Sequence, residues 1–116
     1  MNAEQLAHFR QKLLATQADL ERERAAVDTL ALSADSSVGD QADQSVADTE
    51  REFSTINHER IQMLLAQVHQ ALASIDNGTF GVCVDTGRPI GLKRLEAQPT
   101  ATLSIEAQEA RERERR

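Results

Sequence analysis

From Gln5 to about Leu32 the chain holds no Gly or Pro, and Leu6, Phe9, Leu13, Thr16, Leu20, Glu23, Val27 and Leu30 recur at alternating steps of three and four. That spacing is the a/d seam of a coiled coil, with Thr16 and Glu23 as its weak positions. The charges between, such as Glu21-Arg22-Glu23-Arg24, read as a solvated face. A small, polar stretch follows, Ser33-Ala34-Asp35-Ser36-Ser37-Val38-Gly39-Asp40, whose side chains compete for backbone hydrogen bonds and turn the chain. A second long helix is predicted from about Asp43 to Ile75. Val46, Thr49, Phe53 and Ile56 supply its first seam, and Ile61, Leu64, Leu65, Val68, Leu72 and Ile75 a broader face nearer its end. Helices of roughly 30 residues are about 45 Å long. The prediction is an antiparallel hairpin over 1–76 with its tip near 33–45, thin at the tip and wide at a base that must pack against something further.

Asp76-Asn77-Gly78 supplies the stop. Beyond it, from Phe80 to Gly91, short β-prone pieces alternate with turn residues, as in a small hairpin. Lys93 to Ala97 suit one helical turn, and Ile105 to Arg116, alternating Glu with Arg, a terminal helix with fraying ends. The expected fold is therefore mainly α: a long coiled-coil hairpin followed, over 77–116, by a small globular lobe and a C-terminal helix.

Composition narrows the function. With 13 Lys plus Arg against 19 Asp plus Glu the formal net charge is -6, so a duplex phosphate backbone repels the chain and direct DNA binding is not expected. Aromatics make up only 3%, with no Trp and no Tyr, which leaves almost no platform for stacking single-stranded bases. One Cys rules out an internal disulfide, and no apolar run is long enough to span a membrane. The start, Met1-Asn2-Ala3-Glu4-Gln5, lacks the basic head and apolar stretch of a signal peptide, and a cytoplasmic location is expected. His8, His58 and His69 all lie in the hairpin, apart from Cys83, so no nucleophile has a base beside it and no enzyme is expected.

The segment around Cys83 has the outline of a zinc knuckle, in which two ligand pairs spaced Cys-x-x-Cys enclose a tetrahedral ion. The spacing survives here and the ligands do not: Thr86 follows Cys83, and the second pair of positions holds Ser104 and Ala107. A hydroxyl and a methyl do not replace thiolates around Zn²⁺, so no metal is expected. Hydrogen bonding by Thr86 and Ser104 and packing by Phe80, Val82, Ile90, Leu92, Leu95, Leu103 and Ile105 are the candidate substitutes, with Cys83 a small buried residue.

The runs Gly78-Thr79-Phe80-Gly81-Val82-Cys83, Thr86-Gly87-Arg88-Pro89-Ile90-Gly91 and Arg94-Leu95-Glu96-Ala97-Gln98-Pro99-Thr100-Ala101-Thr102-Leu103 closely resemble the zinc-finger region of the DksA/TraR family of RNA-polymerase-binding transcription factors. Gln5-Leu6-Ala7-His8-Phe9-Arg10 resembles the opening of that family's hairpin. The likeness runs from roughly Asn2 to Gln108, and with three of four cysteines replaced it is closest to the family's zinc-independent members. Asp40 and Asp43, followed by Ser45, resemble the family's Asp-x-x-Asp-x-Ala tip, with Ser in place of Ala. Without the resemblance, Asp at a helix start reads as a cap. The resemblance implies a monomer that inserts its tip into the secondary channel of RNA polymerase and alters promoter-complex stability, often with guanosine tetraphosphate (ppGpp) bound at the interface. It implies interface roles for Arg60, Leu64 and Arg94, while the family's basic nucleotide-binding positions fall on Gln67, Gln98 and Gln108. Glutamine brings no charge, so weaker coupling to ppGpp is expected. The rival readings are a transcript-cleavage factor acting through the same channel and a structural coiled-coil adaptor.

Overall fold

The structure is a computed structural model and describes residues 1–36 and 44–115. Four helices follow in order: α1 (Ala3–Ser36), α2 (Gln44–Asn77), α3 (Leu92–Ala97) and α4 (Ile105–Glu114). The chain divides into two compact units, one comprising Met1–Ala15 with Gln67–Arg116 and the other Thr16–Ala66.

In the first unit α1 begins with a reciprocal cap. Asn2 Oδ1 accepts from the Gln5 N–H at 2.8 Å, and the Asn2 N–H donates back to Gln5 Oε1 at 3.1 Å, so two amides that a helix start leaves bare are satisfied together. Phe9 and Leu13, each 1% exposed, then face a core made with Val68, Ala71 and Ile75 of α2 and with Phe80, Cys83, Ile90, Leu95 and Ala107 of the lobe. The stop at Asp76-Asn77-Gly78 is a Schellman motif. The Thr79 N–H reaches Ser74 O at 2.9 Å and the Gly78 N–H reaches Ile75 O at 3.3 Å, with Gly78 at φ 77, a conformation glycine adopts without a Cβ penalty. Polar ties hold α1 across this unit: Arg10 pairs with Asp76, and Lys12 Nζ donates to Glu96 Oε2 at 2.6 Å and to Glu96 O at 3.0 Å.

The expected packing of the lobe is met by Phe80, Ile90 and Leu95, and Leu103 is half-buried. Val82, Leu92 and Ile105 are exposed instead, because each sits where a short element turns its other face inward. No strand forms among the described residues; the expected hairpin is reduced to one antiparallel bridge, Val82 with Pro89. The short run from Phe80 to Gly91, broken by turn residues, leaves no room for a ladder.

In the second unit Leu20, Ile61 and Leu65 are buried and Val27 is half-buried. Arg60 Nη2 donates to Glu23 Oε2 at 2.9 Å, and Asp28 lies 3.8 Å from His58 Nδ1. Later residues of α1 thus meet earlier residues of α2, which is antiparallel pairing. Thr16 and Glu23 are exposed, as befits the weak points of the seam. The first seam of α2 is corrected: Phe53 and Ile56 are 67% and 64% exposed, while Ser54 and Asn57 are the half-buried positions. Stepping back from Ile61 by four and then three arrives at Asn57 and Ser54, so the strong apolar face below fixes a phase in which Phe53 and Ile56 point elsewhere. Leu30 and Val46 lie outside the residues whose side chains are described. No helix among the described residues is long and apolar enough to cross a membrane.

Candidate functional site

Cys83 occupies the centre of a tight turn. Its N–H donates to Arg88 O at 2.8 Å, its carbonyl accepts from the Gly87 N–H at 2.8 Å, and the Ile90 N–H reaches Gly81 O at 2.8 Å. Gly87 stands at φ 70, where a side chain would be strained. The neighbouring strip is tied in by the Val84 N–H, which donates to Thr102 O at 3.0 Å. The Cys83 thiol is fully buried and its pKa is lowered to about 6, first by a hydrogen bond from the Thr86 side chain, then by the Ser104 backbone, against the opposing effect of desolvation. Backbone amides of Thr86 and Asp85 add to it. The sulfur therefore rests in a nest of donors, the arrangement that favours a thiolate.

Ser104 is 4% exposed and caps α4, its hydroxyl accepting from the Ala107 N–H at 3.2 Å. Ala107 is 4% exposed. The contacts of Cys83 with Thr86 and Ser104, and of Ser104 with Ala107, bring all four knuckle positions together as the sequence spacing anticipates. As a donor set they do not fit a tetrahedral zinc site, which takes four thiolate or imidazole ligands: one thiol is present, the Ser104 hydroxyl is committed to its own helix, and a methyl has no lone pair.

Two residues not singled out in the sequence complete this region. Arg111 donates through Nε to Asp85 Oδ2 at 2.6 Å and through Nη2 to Asp85 Oδ1 at 2.5 Å. The guanidinium holds the Asp85 carboxyl below its ordinary pKa. The available signal was helical spacing: 104, 107 and 111 share one face of α4, whereas the alternating Glu and Arg read only as a solvated end.

A second feature of the same unit is a polar cavity of about 240 Å³ whose lining includes Gln67, Gln98, Gln108 and Arg94. The structure thus gathers the three glutamines around one space. Arg94 Nε donates to Leu103 O at 2.7 Å, and its other arm pairs with Gln108 Oε1. The cavity offers amide hydrogen bonds and a cation already engaged with neutral acceptors. In the other unit Arg60 is half-exposed on α2 and paired with Glu23, and Leu64 is half-buried. Asp40 and Asp43 lie outside the described residues; Ser45 is in the first turns of α2, its side chain outside them.

Two long helices and a lobe built on a knuckle-like turn make a mainly helical fold, and sequence comparison assigns its family. Residues 5–75 match the family model described as DnaK suppressor protein DksA, N-terminal domain, and residues 78–113 the prokaryotic dksA/traR C4-type zinc finger. The chain is similar to the RNA polymerase-binding transcription factor DksA of Caulobacter vibrioides, 43% identical over 117 residues, covering 100% of this chain and 82% of that one. It is 33% identical over 106 residues to the protein of that name from Escherichia coli, covering 91% of this chain and 70% of the relative. Its structure is similar to that of the transcription factor DksA2 from Pseudomonas aeruginosa, with a TM-score of 0.94, 35% identity and coverage of 100% of this chain and 90% of the other. The chain belongs to the DksA/TraR family.

Proposed function

We propose that this chain is a transcription regulator that binds RNA polymerase through its secondary channel and modulates the stability of promoter complexes, without catalysis of its own. The observation that carries the reading is likeness along the whole chain, 43% identity to a relative named RNA polymerase-binding transcription factor. Asp40 and Asp43 are the active groups. Carried on a stiff arm, their charge biases the mobile elements around the polymerase's Mg²⁺-binding centre without reacting. Ser45 tunes the tip, Arg60 contacts the polymerase from the arm and Arg94 from the lobe, and Leu64 is the position that matches the family's contact with ppGpp. The factor works as a monomer in the cytoplasm, where polymerase is, and has no need of DNA contacts.

The amide-lined cavity supports weak dependence on ppGpp. Gln67, Gln98 and Gln108 supply hydrogen bonds, and the Arg94 guanidinium is already engaged, so a polyanion gains less there than from charged partners. A lobe without a zinc requirement suits the factor to zinc shortage or thiol oxidation. The test is competition for core polymerase together with promoter-complex lifetime, each with and without ppGpp. Shortened lifetimes largely insensitive to ppGpp are expected. Shortening of RNA in a backtracked complex instead identifies a cleavage factor, and a tight dimer with no polymerase binding an adaptor.

A further inference from the structure

The family's lobe is described as a C4-type zinc finger, and in that design the ion is the link between the ligand pair in the first turn and the pair at the start of the last helix. In this chain the same two segments face each other with one thiol among the four positions. Besides the backbone bond from the Val84 N–H to Thr102 O, a side-chain pair ties the turn to α4. Asp85 stands between Cys83 and Thr86 in the turn, and Arg111 stands one helical turn beyond Ala107 on the face of α4 that carries Ser104. Their side chains meet in two parallel hydrogen bonds of 2.6 and 2.5 Å, the fork geometry in which a guanidinium holds a carboxylate most firmly. Beneath them the space a metal and its sulfurs would fill is closed by Cys83 at 0%, Ala107 at 4% and Ser104 at 4% exposure.

We infer that the Asp85–Arg111 pair takes the metal's place as the cross-link between the 81–91 turn and helix α4, so that the lobe folds and stays folded with no divalent ion. The buried Cys83, Ser104 and Ala107 form the packed floor, and the ion pair is the clasp over it. The division of labour follows from chemistry. Ala107 and Ser104 have no charge with which to orient the two segments, whereas the bidentate pair, with Arg111 49% and Asp85 33% exposed, fixes their orientation and adds modestly to stability. The inference depends on this lobe alone and stands whether or not the chain acts on polymerase.

The test uses the full chain purified without added metal. Elemental analysis should find no stoichiometric zinc, and a strong zinc chelator should leave the thermal midpoint unchanged. Asp85→Asn and Arg111→Gln should each lower that midpoint by a few degrees, and the charge-reversed pair Asp85→Arg with Arg111→Asp should recover part of the loss. If the single variants do not fold, recovery of folding by the reversed pair supports the clasp and failure to recover overturns it. The triple variant Thr86→Cys, Ser104→Cys, Ala107→Cys restores four thiols and should take up one Co²⁺ with the absorption of tetrahedral thiolate ligation. In that loaded background Asp85→Asn should shift the midpoint less than it does in the parent chain. Stoichiometric zinc in the parent, a midpoint that falls with chelator, or single variants as stable as the parent each overturn the inference.

Discussion

Phe9, in the second turn of α1, meets Phe80, just past the end of α2, with ring centroids 5.5 Å apart and planes tilted by 47°. Both rings are buried, at 1% and 8% exposure. This contact fastens the start of the chain to its lobe, and it explains why the seam widens where it does: the helices there enclose a third element as well as each other. Phe9→Ala or Phe80→Ala should each cost about 3–5 kcal/mol in urea unfolding. A double-mutant cycle should show coupling of about 0.5–1.5 kcal/mol beyond the area each ring buries.

The phase of α2 gives a sharper contrast. Ile61 is 1% exposed and Phe53 is 67% exposed, although both are large apolar residues on one helix. Ile61→Ala should cost about 2–5 kcal/mol, whereas Phe53→Ser should change unfolding free energy by no more than about 0.5 kcal/mol. Equal losses for the two substitutions would show that Phe53 belongs to the seam.

The long helices, the stop at Gly78, the terminal helix and the gathering of Cys83, Thr86, Ser104 and Ala107 were all legible in the sequence, because spacing and turn residues determine them locally. The upper face of α2 was not. Phe53 and Ile56 are the apolar residues in reach, and choosing them over Asn57 and Ser54 follows hydrophobicity where the helix follows the phase set by Ile61 and Leu65. The Asp85–Arg111 clasp was hidden for another reason: its partners are 26 residues apart, and an Arg in a charged terminal helix looks like any solvated cation until the turn that it meets is in place.

Three groups give the lobe unit a pH dependence: Asp85, whose carboxyl pKa the Arg111 guanidinium depresses, Glu96 and Cys83. Hydrogen bonding from Lys12, then from His8, lowers the pKa of Glu96 from 4.5. A depressed carboxyl adds stability above its unfolded pKa and loses it as pH falls through the lower, folded value. Glu96→Gln should therefore flatten the loss of stability below pH 4.5. Cys83 has the same sign at higher pH. With 9.0 unfolded and about 6 folded, its contribution is complete above pH 9, shrinks as pH falls toward 6, and is gone below. Unfolding measured at intervals from pH 6 to 9 should show the parent chain gaining on Cys83→Ala as pH rises; parallel curves would mean that the donor nest does not hold a thiolate.

The most direct measurement of the proposed action compares the intact chain with the variant Asp40→Asn, Asp43→Asn at saturating occupancy of core RNA polymerase. Occupancy is set by competition, and promoter-complex lifetime is read in the same preparation. The expected result is undiminished competition with the lifetime restored to that of polymerase alone, since Asn is nearly isosteric with Asp and removes its charge. A variant that binds equally well and shortens the lifetime as much as the parent would contradict the electrostatic action of the tip.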